Sequence, residues 1–410
     1  MSNMDDTNNI LAPSLSEIYK KRKDVFKNSE VFEIEHSPEK LISRGEANTI
    51  FNYAVAFIKS RVSQNIFISG GFGSGKTAYA KYLRNEAKKL IEDKSLNVMV
   101  QYVNCRFLKD LWELPNLLVH RKKDKNKEED PMDILIKRLD KDVILILDEI
   151  DQTINPSDFF YFLSRFQEIQ EQNKHKIMLL LISNKNEWDK RLDGATRSSL
   201  SLKKINFERY NEGQIKEILK QRTNSGLINP DELKENIIDT IVKNTFDNNS
   251  DLRIGLRALK MALMMIENGA RKLNESSASE IYEIALKEIQ TERVADLDDQ
   301  KCILLYSLEK SEGSLSKDVF NSYEQISRTM RIKSWKYARF VHYTNELYNQ
   351  GFIEIRKVKK DKAIANELKL IIKSEVILEE FESRKVKLMA RQKSYNRQNF
   401  EENSSESYEE

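Results

Sequence analysis

Gly70 and Gly75, with Lys76 and Thr77 directly after the second glycine, spell G-x-x-x-x-G-K-T inside the stretch FISGGFGSGKTAYAKYL (67–83). Glycines at that spacing let a loop bend so that successive backbone N–H groups face a phosphate. A helix starting at the lysine adds its positive end. In that chemistry the Lys76 ammonium reaches the β- and γ-phosphates and the Thr77 hydroxyl holds Mg2+. An isolated motif of this kind also occurs as an ordinary glycine-rich turn, so its companions decide. VILILDEID (143–151) supplies two. Its five aliphatic residues deliver Asp148 to the end of a strand, where it can hold the metal. Glu149 can then polarise an attacking water, a task that a metal-bound carboxylate performs poorly.

Further polar groups follow in order. KIMLLLISN (176–184) ends on Ser183 and Asn184. Asn184 can position the water or touch the γ-phosphate; a plain strand-ending turn is the alternative. RLDGATRSSL (191–200) offers Arg191 and Arg197. Either could act as an arginine finger on a neighbouring subunit's nucleotide, and either could be solvated loop. DLRIGLRALK (251–260) opens a helix with Asp251 as N-cap and Arg253 in the first turn. Arg253 could contact the γ-phosphate from a separate domain, or be an ordinary exposed helix residue.

A second chemistry lies toward the C-terminus. From Lys301 to Lys373 there are 15 Lys or Arg against 8 Asp or Glu, a net +7, which leaves −4 for the rest of a chain whose total is +3. Local basicity of this kind points to nucleic acid more than the global balance does. Lys336 and Arg339 share one face of the helical stretch SWKYARFVHYTNELYNQ (334–350), and Arg331 and Lys333 precede it. Lys357, Lys359, Lys360 and Lys362 cluster in the charged turn KVKKDKA. Such side chains contact phosphates and give salt-dependent affinity. A solvated or protein-binding surface is the competing reading. A third basic run, HRKKDKNKEED (120–130), follows the apolar FLKDLWELPNLLV and is either a surface loop or part of an inserted helical element facing DNA.

These residues need a frame. Short apolar runs at 65–70, 97–105, 143–151, 176–184 and 202–207 alternate with amphipathic helical stretches, which predicts a parallel sheet covered on both faces. After Tyr210 the strand signals stop, and four helical stretches predict a small helical domain ending near residue 295. Three more helices and two strands around the charged turn predict a winged helix-turn-helix. The 32% charged fraction and only 12 Gly and 6 Pro in 410 residues favour a helix-rich globular chain. Cys105 and Cys302 are far apart and have no metal-ligand spacing, as in a reducing cytosol. No apolar run reaches the ~18 residues needed to span a bilayer, and the start of the chain has no apolar signal core. No membrane partner is expected, and the location is cytoplasmic, with access to the nucleoid.

In this order the motifs resemble the archaeal replication initiators related to origin recognition complex subunit one and cell division control protein six. PEKLISRGEA, GGFGSGKT, VILILDEID, ISN, RSSL with INFERYNEGQIKEILKQR, and DLRIGLRALKMA carry the likeness over about residues 25–380. The resemblance implies an α/β P-loop AAA+ ATPase core with an α-helical lid and a C-terminal winged-helix domain. Its layout would be a disordered tail over 1–25, the ATPase domain over 26–208, the lid over 209–296, the winged-helix DNA-binding domain over 297–382 and a disordered charged tail over 383–410. It implies ATP or ADP with Mg2+ as cofactors, held by Gly70, Gly71, Phe72, Gly73, Ser74, Gly75, Lys76, Thr77 and Ala78, with Tyr210 and Arg253. Thr77 and Asp148 would serve the metal, and Glu149, Asn184, Arg253 and Arg197 slow hydrolysis. Implied partners are double-stranded origin DNA, the replicative helicase and other initiator paralogues, with a monomer in solution assembling on DNA. The helical insertion of the family would occupy residues 107–120 and touch DNA.

Three stretches depart from the family pattern. Gly194, Ala195 and Thr196 stand where Pro-Arg-Val is usual, which leaves Arg197 as the finger candidate. VKKDKAIAN replaces a glycine-rich wing tip, which suggests altered sequence readout. Ser43-Arg44-Gly45 replaces His-Arg-Glu near the adenine. The leading expectation is an ATP-regulated origin-binding initiator. The alternative is a divergent paralogue acting as a nucleotide-bound regulator of promoters or a negative regulator of origins. A clamp loader is disfavoured by a wing that follows the lid directly, and a branch-migration motor would need robust hydrolysis and ring assembly.

Overall fold

Strand parity organises the first half of the chain. The structure, a computed structural model, describes residues 14–119, 130–169, 175–269, 273–360 and 363–387. Five strands, β1 (Ile66–Gly70), β2 (Val98–Asn104), β3 (Asp142–Asp148), β4 (Ile177–Ile182) and β5 (Lys203–Phe207), form one parallel sheet in the order β2-β3-β4-β1-β5. Successive side chains of a strand point to opposite faces. Ile66, Ile68, Ile144, Ile146, Met178 and Leu180 therefore pack together with α2 (Gly45–Ser60) and α3 (Lys76–Asp93). Phe67, Val143, Leu145, Leu147, Leu179 and Leu181 pack with α4 (Leu114–Leu118), α5 (Pro131–Arg138), α6 (Ser157–Ile169) and Leu200 of α7 (Gly194–Leu200). A strand covered on both faces must be apolar throughout, and β4 is buried at every position.

The run in VILILDEID continues to Asp151, but β3 stops at Asp148. Glu149 takes a left-handed φ of 54°, and the tight turn Ile150–Gln152 follows. The break turns the chain away from the sheet at the residue pair that could do chemistry. At the other end of β3, buried Asp142 is held by Arg61, whose Nε and Nη2 donate to its carboxylate at 2.7 and 2.8 Å.

The chain divides into two compact units. The first joins Glu39–Arg209 with the chain from Leu286 onward, so the sheet and the C-terminal helices belong together. Here α12 (Asp299–Lys310), α13 (Ser316–Thr329) and α14 (Tyr337–Asn349) precede an antiparallel hairpin of β6 (Ile353–Lys360) and β7 (Ala363–Leu370). Leu315 adds a bridge to Glu367 beside β7. Three helices with such a hairpin form a winged helix. Its core contains Cys302, Leu304, Tyr323, Phe340, Leu347 and Phe381. A helix over 374–387 packs back on it: Phe381 stacks on Tyr306 at 3.6 Å between ring centroids. Arg384 of that helix donates to the carbonyls of Val294, Ala295 and Leu297. It falls at the start of the expected C-terminal tail, whose residues from 388 on lie outside the described residues.

The second unit joins the segment ahead of Glu39 with Tyr210–Ala285. It contains α8 (Glu212–Gly226), α9 (Glu235–Asp247), α10 (Leu252–Glu267) and the first part of α11 (Glu275–Ala295). Of the expected N-terminal tail, residues 14–25 are described. They begin with α1 (Leu15–Lys21), closed by a reciprocal capping pair of Ser14 and Glu17 and burying none of its residues. Val25 and Phe32 then bury against this unit, and Phe26 bridges Leu227. Arg222 donates to the carbonyls of Val31 at 2.8 Å and His36 at 3.3 Å, and its burial pushes the guanidinium pKa down to about 10. The segment lies so close to α8 that a Cβ on Gly226 would come within 2.4 Å of Phe32 and Val31. Among the described residues no helix is long and apolar enough to cross a membrane.

Candidate nucleotide site and nucleic-acid interface

β1 ends at Gly70, and the chain reverses through Gly71, Phe72, Gly73 and Ser74 before α3 begins. Gly70, Gly73 and Gly75 have φ of 150°, 71° and 89°. A Cβ on Gly70 would sit 2.5 Å from the Phe207 carbonyl oxygen, so the loop geometry requires glycine there. Gly75 is the N-cap of α3 and brings no capping side chain to its first turn, where Lys76, Thr77 and Ala78 lie. Lys76 is buried, and its Nζ donates to the carbonyls of Gly70 at 2.9 Å and Gly71 at 2.8 Å. Arg44, also buried, ties the loop to the rest of the sheet edge. It donates to the Ser74 carbonyl at 2.8 Å and the Glu208 carbonyl at 2.7 Å, and it lies over the Phe207 ring.

Asp148 meets this loop from β3. Its Oδ2 accepts from the Thr77 hydroxyl at 2.8 Å and from the Tyr102 hydroxyl at 2.7 Å; its Oδ1 accepts from the Glu149 N–H at 2.9 Å. Tyr102 and Asn104 come from β2, where Asn104 pairs in register with Asp148. Half-burial pushes the Glu149 carboxyl above its ordinary range, and the Asp148 charge adds to that. A hydrogen bond from Asn104 and the charge of Arg106 oppose the rise. Burial likewise raises the Tyr102 phenol, with Asp148 adding, and raises the Cys105 thiol to about 12. Tyr102 and Asn104 were not among the sequence candidates. Their signal was parity: in NVMVQYVNC both share the face of Val98 and Val100, at the strand end beside Asp148.

β4 brings Ser183 next to this cluster. Its buried hydroxyl donates to Asp151 Oδ1 at 2.9 Å and accepts from the Lys185 N–H at 2.8 Å, and half-buried Asn184 lies between the two. The two arginines considered for a finger have different environments. Arg191 donates to the Asp151 and Thr153 carbonyls, both at 3.1 Å, and so braces the turn after β3. Arg197 stands exposed on α7, whose N-cap Asp193 accepts from both the N–H and the hydroxyl of Thr196. Tyr210 and Arg253 belong to the second unit. There Tyr210 is buried, and Arg253 forms a two-point ion pair with the N-cap Asp251 through its Nε at 2.9 Å and Nη2 at 2.5 Å.

The donor set fits a nucleotide phosphate: a glycine cradle, a helix start without a side-chain cap and a buried lysine converge on one spot. Mg2+ also fits, because Thr77 and Asp148 present hard oxygens. Among the described residues no group of three or more His, Cys, Asp or Glu could hold a metal. A magnesium here would take its remaining ligands from water and phosphate, as that ion commonly does.

On the winged helix, Arg331, Lys333, Lys336 and Arg339 are all exposed. Lys336 is the N-cap of α14, while Arg331 and Lys333 lie on the preceding turn. Arg339 lies against Trp335 and Tyr343 at 5.6 and 5.5 Å from their centroids. Lys357 and Lys359 are exposed on one face of β6, continuing the line of Ile353 and Ile355. Only the backbone of Lys360 is described; Lys362 and residues 120–129 lie outside the described residues. Within the expected insertion, Leu111, Leu114 and Leu118 are buried in the core, and Phe107 is 83% exposed.

No protein-family model matches the chain. An ORC1-type DNA replication protein 1 of Methanosarcina acetivorans is 29% identical over 375 residues, which cover 86% of this chain and 89% of that protein. An ORC1-type DNA replication protein of Pyrococcus abyssi is 28% identical over 361 residues, 83% and 85% of the two chains. Among solved structures, the Aeropyrum pernix ORC1 protein in complex with DNA superposes with a TM-score of 0.68 at 18% identity, covering 90% of this chain and 99% of that one. The Aeropyrum pernix ORC2 protein in its ADPNP–ADP complexes gives 0.64 at 22% identity, over 89% and 100%. Fold, motif order and alignments point the same way: the chain is related along most of its length to the ORC1-type DNA replication proteins, the Orc1/Cdc6 family that its motifs resemble.

Proposed function

We propose that the chain is a nucleotide-switched initiator of DNA replication that binds duplex DNA at an origin and helps to recruit the replicative helicase. One observation carries the reading: Lys76, Thr77, Asp148 and Glu149 converge at the ends of β1 and β3, on either side of β4 in one sheet, in a unit that also contains a winged helix with a basic exposed face. The names of its relatives and the DNA-bound state of the Aeropyrum pernix ORC1 protein support it. Mg2+, when bound, would draw negative charge from the phosphate oxygens. Lys76 and the first N–H groups of α3 hold the phosphates, and Thr77 and Asp148 would hold the metal. Glu149, with its raised pKa, accepts a proton from the attacking water while Asn184 positions it. Turnover is slow and serves to change state, and Arg197 of a neighbouring copy completes the charge compensation.

On the DNA side, Arg331, Lys333, Lys336 and Arg339 approach one groove and its backbone. Lys357 and Lys359, with Lys360 and Lys362 at the tip, follow the adjacent backbone. The protein is a cytoplasmic, nucleoid-associated monomer that assembles on origin DNA with its paralogues. Fluorescence anisotropy on duplex DNA tests this: removal of residues 297–410 should abolish tight binding, and unchanged affinity would refute the interface. A second reading is a nucleotide-bound regulator that occupies promoters or silences origins. Ala195 favours it, since this exposed residue of α7 stands where the family's arginine is usual and brings no guanidinium. Mapping of occupied sites in cells decides between origins and promoters, and at origins the effect of depletion separates the two: loss of firing supports initiation, extra firing the silencing regulator.

A further inference from the structure

Two loops of the nucleotide site, carried by different strands, reach the same short turn of the winged helix. The first is the phosphate loop. Phe72 lies between Gly71 and Gly73, where the backbone has little side-chain restraint of its own. Arg293, near the end of α11, places its guanidinium 4.9 Å from the Phe72 ring centroid and 4.6 Å from that of Phe352. The same guanidinium donates to the Gln350 carbonyl. One cation is thus shared between an aromatic ring of the phosphate loop and one at the start of β6, and it is pinned to the backbone between α14 and β6.

The second loop follows β4. Lys185, directly after Asn184, donates to Glu346 Oε1 at 3.2 Å, and Lys301 of α12 donates to the same oxygen at 3.0 Å. The Glu346 side chain is only 15% exposed, so this cluster is shielded from the screening that weakens surface pairs. The Lys185 backbone is in turn fixed through Ser183 to Asp151. A shift of Asn184 toward or away from a phosphate must therefore carry Lys185 with it. Glu346, Gln350 and Phe352 all lie within the last turn of α14 and the entry to β6. That turn joins the two elements whose exposed basic residues would face DNA. A further ion pair between Arg106, just beyond Asn104, and Asp296 spans 3.4 Å, but both side chains are more than half exposed and it adds little.

We propose that Arg293 and Glu346 are positioning residues that couple occupancy of the phosphate site to the placement of α14 and the hairpin. Neither touches the reacting atoms. Arg293 acts through Phe72, and Glu346 acts through Lys185 and Asn184. Linkage makes the coupling reciprocal: whatever nucleotide does to the winged helix, DNA held there does to nucleotide affinity. The proposal rests on the nucleotide-binding reading of the P-loop, and its test is built so that the two can fail separately.

The test is amide hydrogen exchange over 337–360 in the full chain, with and without ADP and Mg2+, and with no DNA present. In the unaltered protein, nucleotide should change exchange in this segment by about fivefold or more. In Arg293→Gln/Glu346→Gln that response should vanish, while a fluorescent ADP analogue still binds within about threefold of the unaltered affinity. Glu346→Gln alone, which keeps the shape of the side chain, should lose part of the response and serves if the double variant does not fold. Arg293→Lys keeps the charge but not the planar stack, so it should restore less than half of the response. An unaltered protein that binds ADP without any change over 337–360, or a double variant with the full response, would overturn the proposal. Absence of ADP binding in the unaltered protein would instead refute the nucleotide reading itself, and the proposal with it.

Discussion

Lys76 and Lys359 carry the same charged group, yet their settings have little in common. Lys76 is buried, and its ammonium is fixed by the backbone carbonyls of the loop that it serves. Lys359 stands exposed near the end of a two-stranded hairpin. The nucleotide site is built by precise convergence: glycines that no other residue can replace, a carboxylate with its acceptors occupied, and a buried cation. The basic face is built by accumulation, with charges on a helix start, a turn and one face of a strand. Loss of one part should therefore disable the first region and only dilute the second. Left-handed backbone occurs in both regions: at Gly73, Gly75 and Glu149 it shapes the first, and at Arg331, with φ of 56°, it turns the chain ahead of α14.

The contrast can be broken by experiment. Glu149→Gln should have the largest effect, lowering ATP turnover by about 100-fold or more with nucleotide binding retained. The unaltered protein adds a pH signature. On the proposed reading Glu149 acts in its base form, and burial raises its carboxyl above the ordinary glutamate range, so ATP turnover should fall on acidification at a pH higher than an exposed glutamate would give. Asn104→Ala removes a bond that lowers this pKa, so the acid limb should move further up. A limb at the ordinary glutamate value in both proteins would contradict the burial argument. Lys76→Ala comes next: affinity for a fluorescent ADP analogue should drop about 100-fold, the scale for truncating one partner of a desolvated charged contact.

Tyr102→Phe should be smaller. It removes one donor from Asp148 Oδ2 while Thr77 remains, and should reduce the unfolding free energy of the nucleotide-free protein by about 1–2 kcal/mol, read from denaturant titration. Lys359→Ala should be smallest. Duplex affinity should fall only a few-fold, and the slope of log affinity against log salt should become shallower by about 0.9. Lys357→Ala should repeat this independently, and the pair should be close to additive. A single lysine whose loss abolished DNA binding would show that the basic face is convergent after all.

Legibility in the sequence follows the same divide. β1, β3 and β4 are readable because each is a largely apolar run buried at every position, whereas β2 and β5 mix polar residues into theirs; the phosphate loop is readable because glycine spacing has few other uses. Tyr102 and Asn104 are harder to read. They lie in an alternating strand, where their approach to Asp148 and Glu149 depends on register with β3 and not on any local pattern. Arg191 and Arg197 look equivalent as letters, and the carbonyls of Asp151 and Thr153, forty residues away, distinguish them. Lys357 and Lys359 read as part of a lysine run in sequence, and a period of two puts them on one face of β6. The ties of Arg293 and Lys185 to the turn after α14 join residues far apart in the chain, and no motif announces them.

The bridge between Phe26 and Leu227 has a consequence for the order in which the protein is made. Val25, Phe26 and Phe32 leave the ribosome early, yet the helices that cover them are encoded beyond Tyr210. At ordinary rates of synthesis, the roughly 200 intervening residues take about 10–40 s to appear. During that interval the sheet can form while this apolar segment waits uncovered. Its flanks suit that wait: α1 is capped, buries nothing in the finished fold and ends in Lys20 and Lys21. Nothing in α1 has to wait for the delayed partner, because its cap is closed by its own residues.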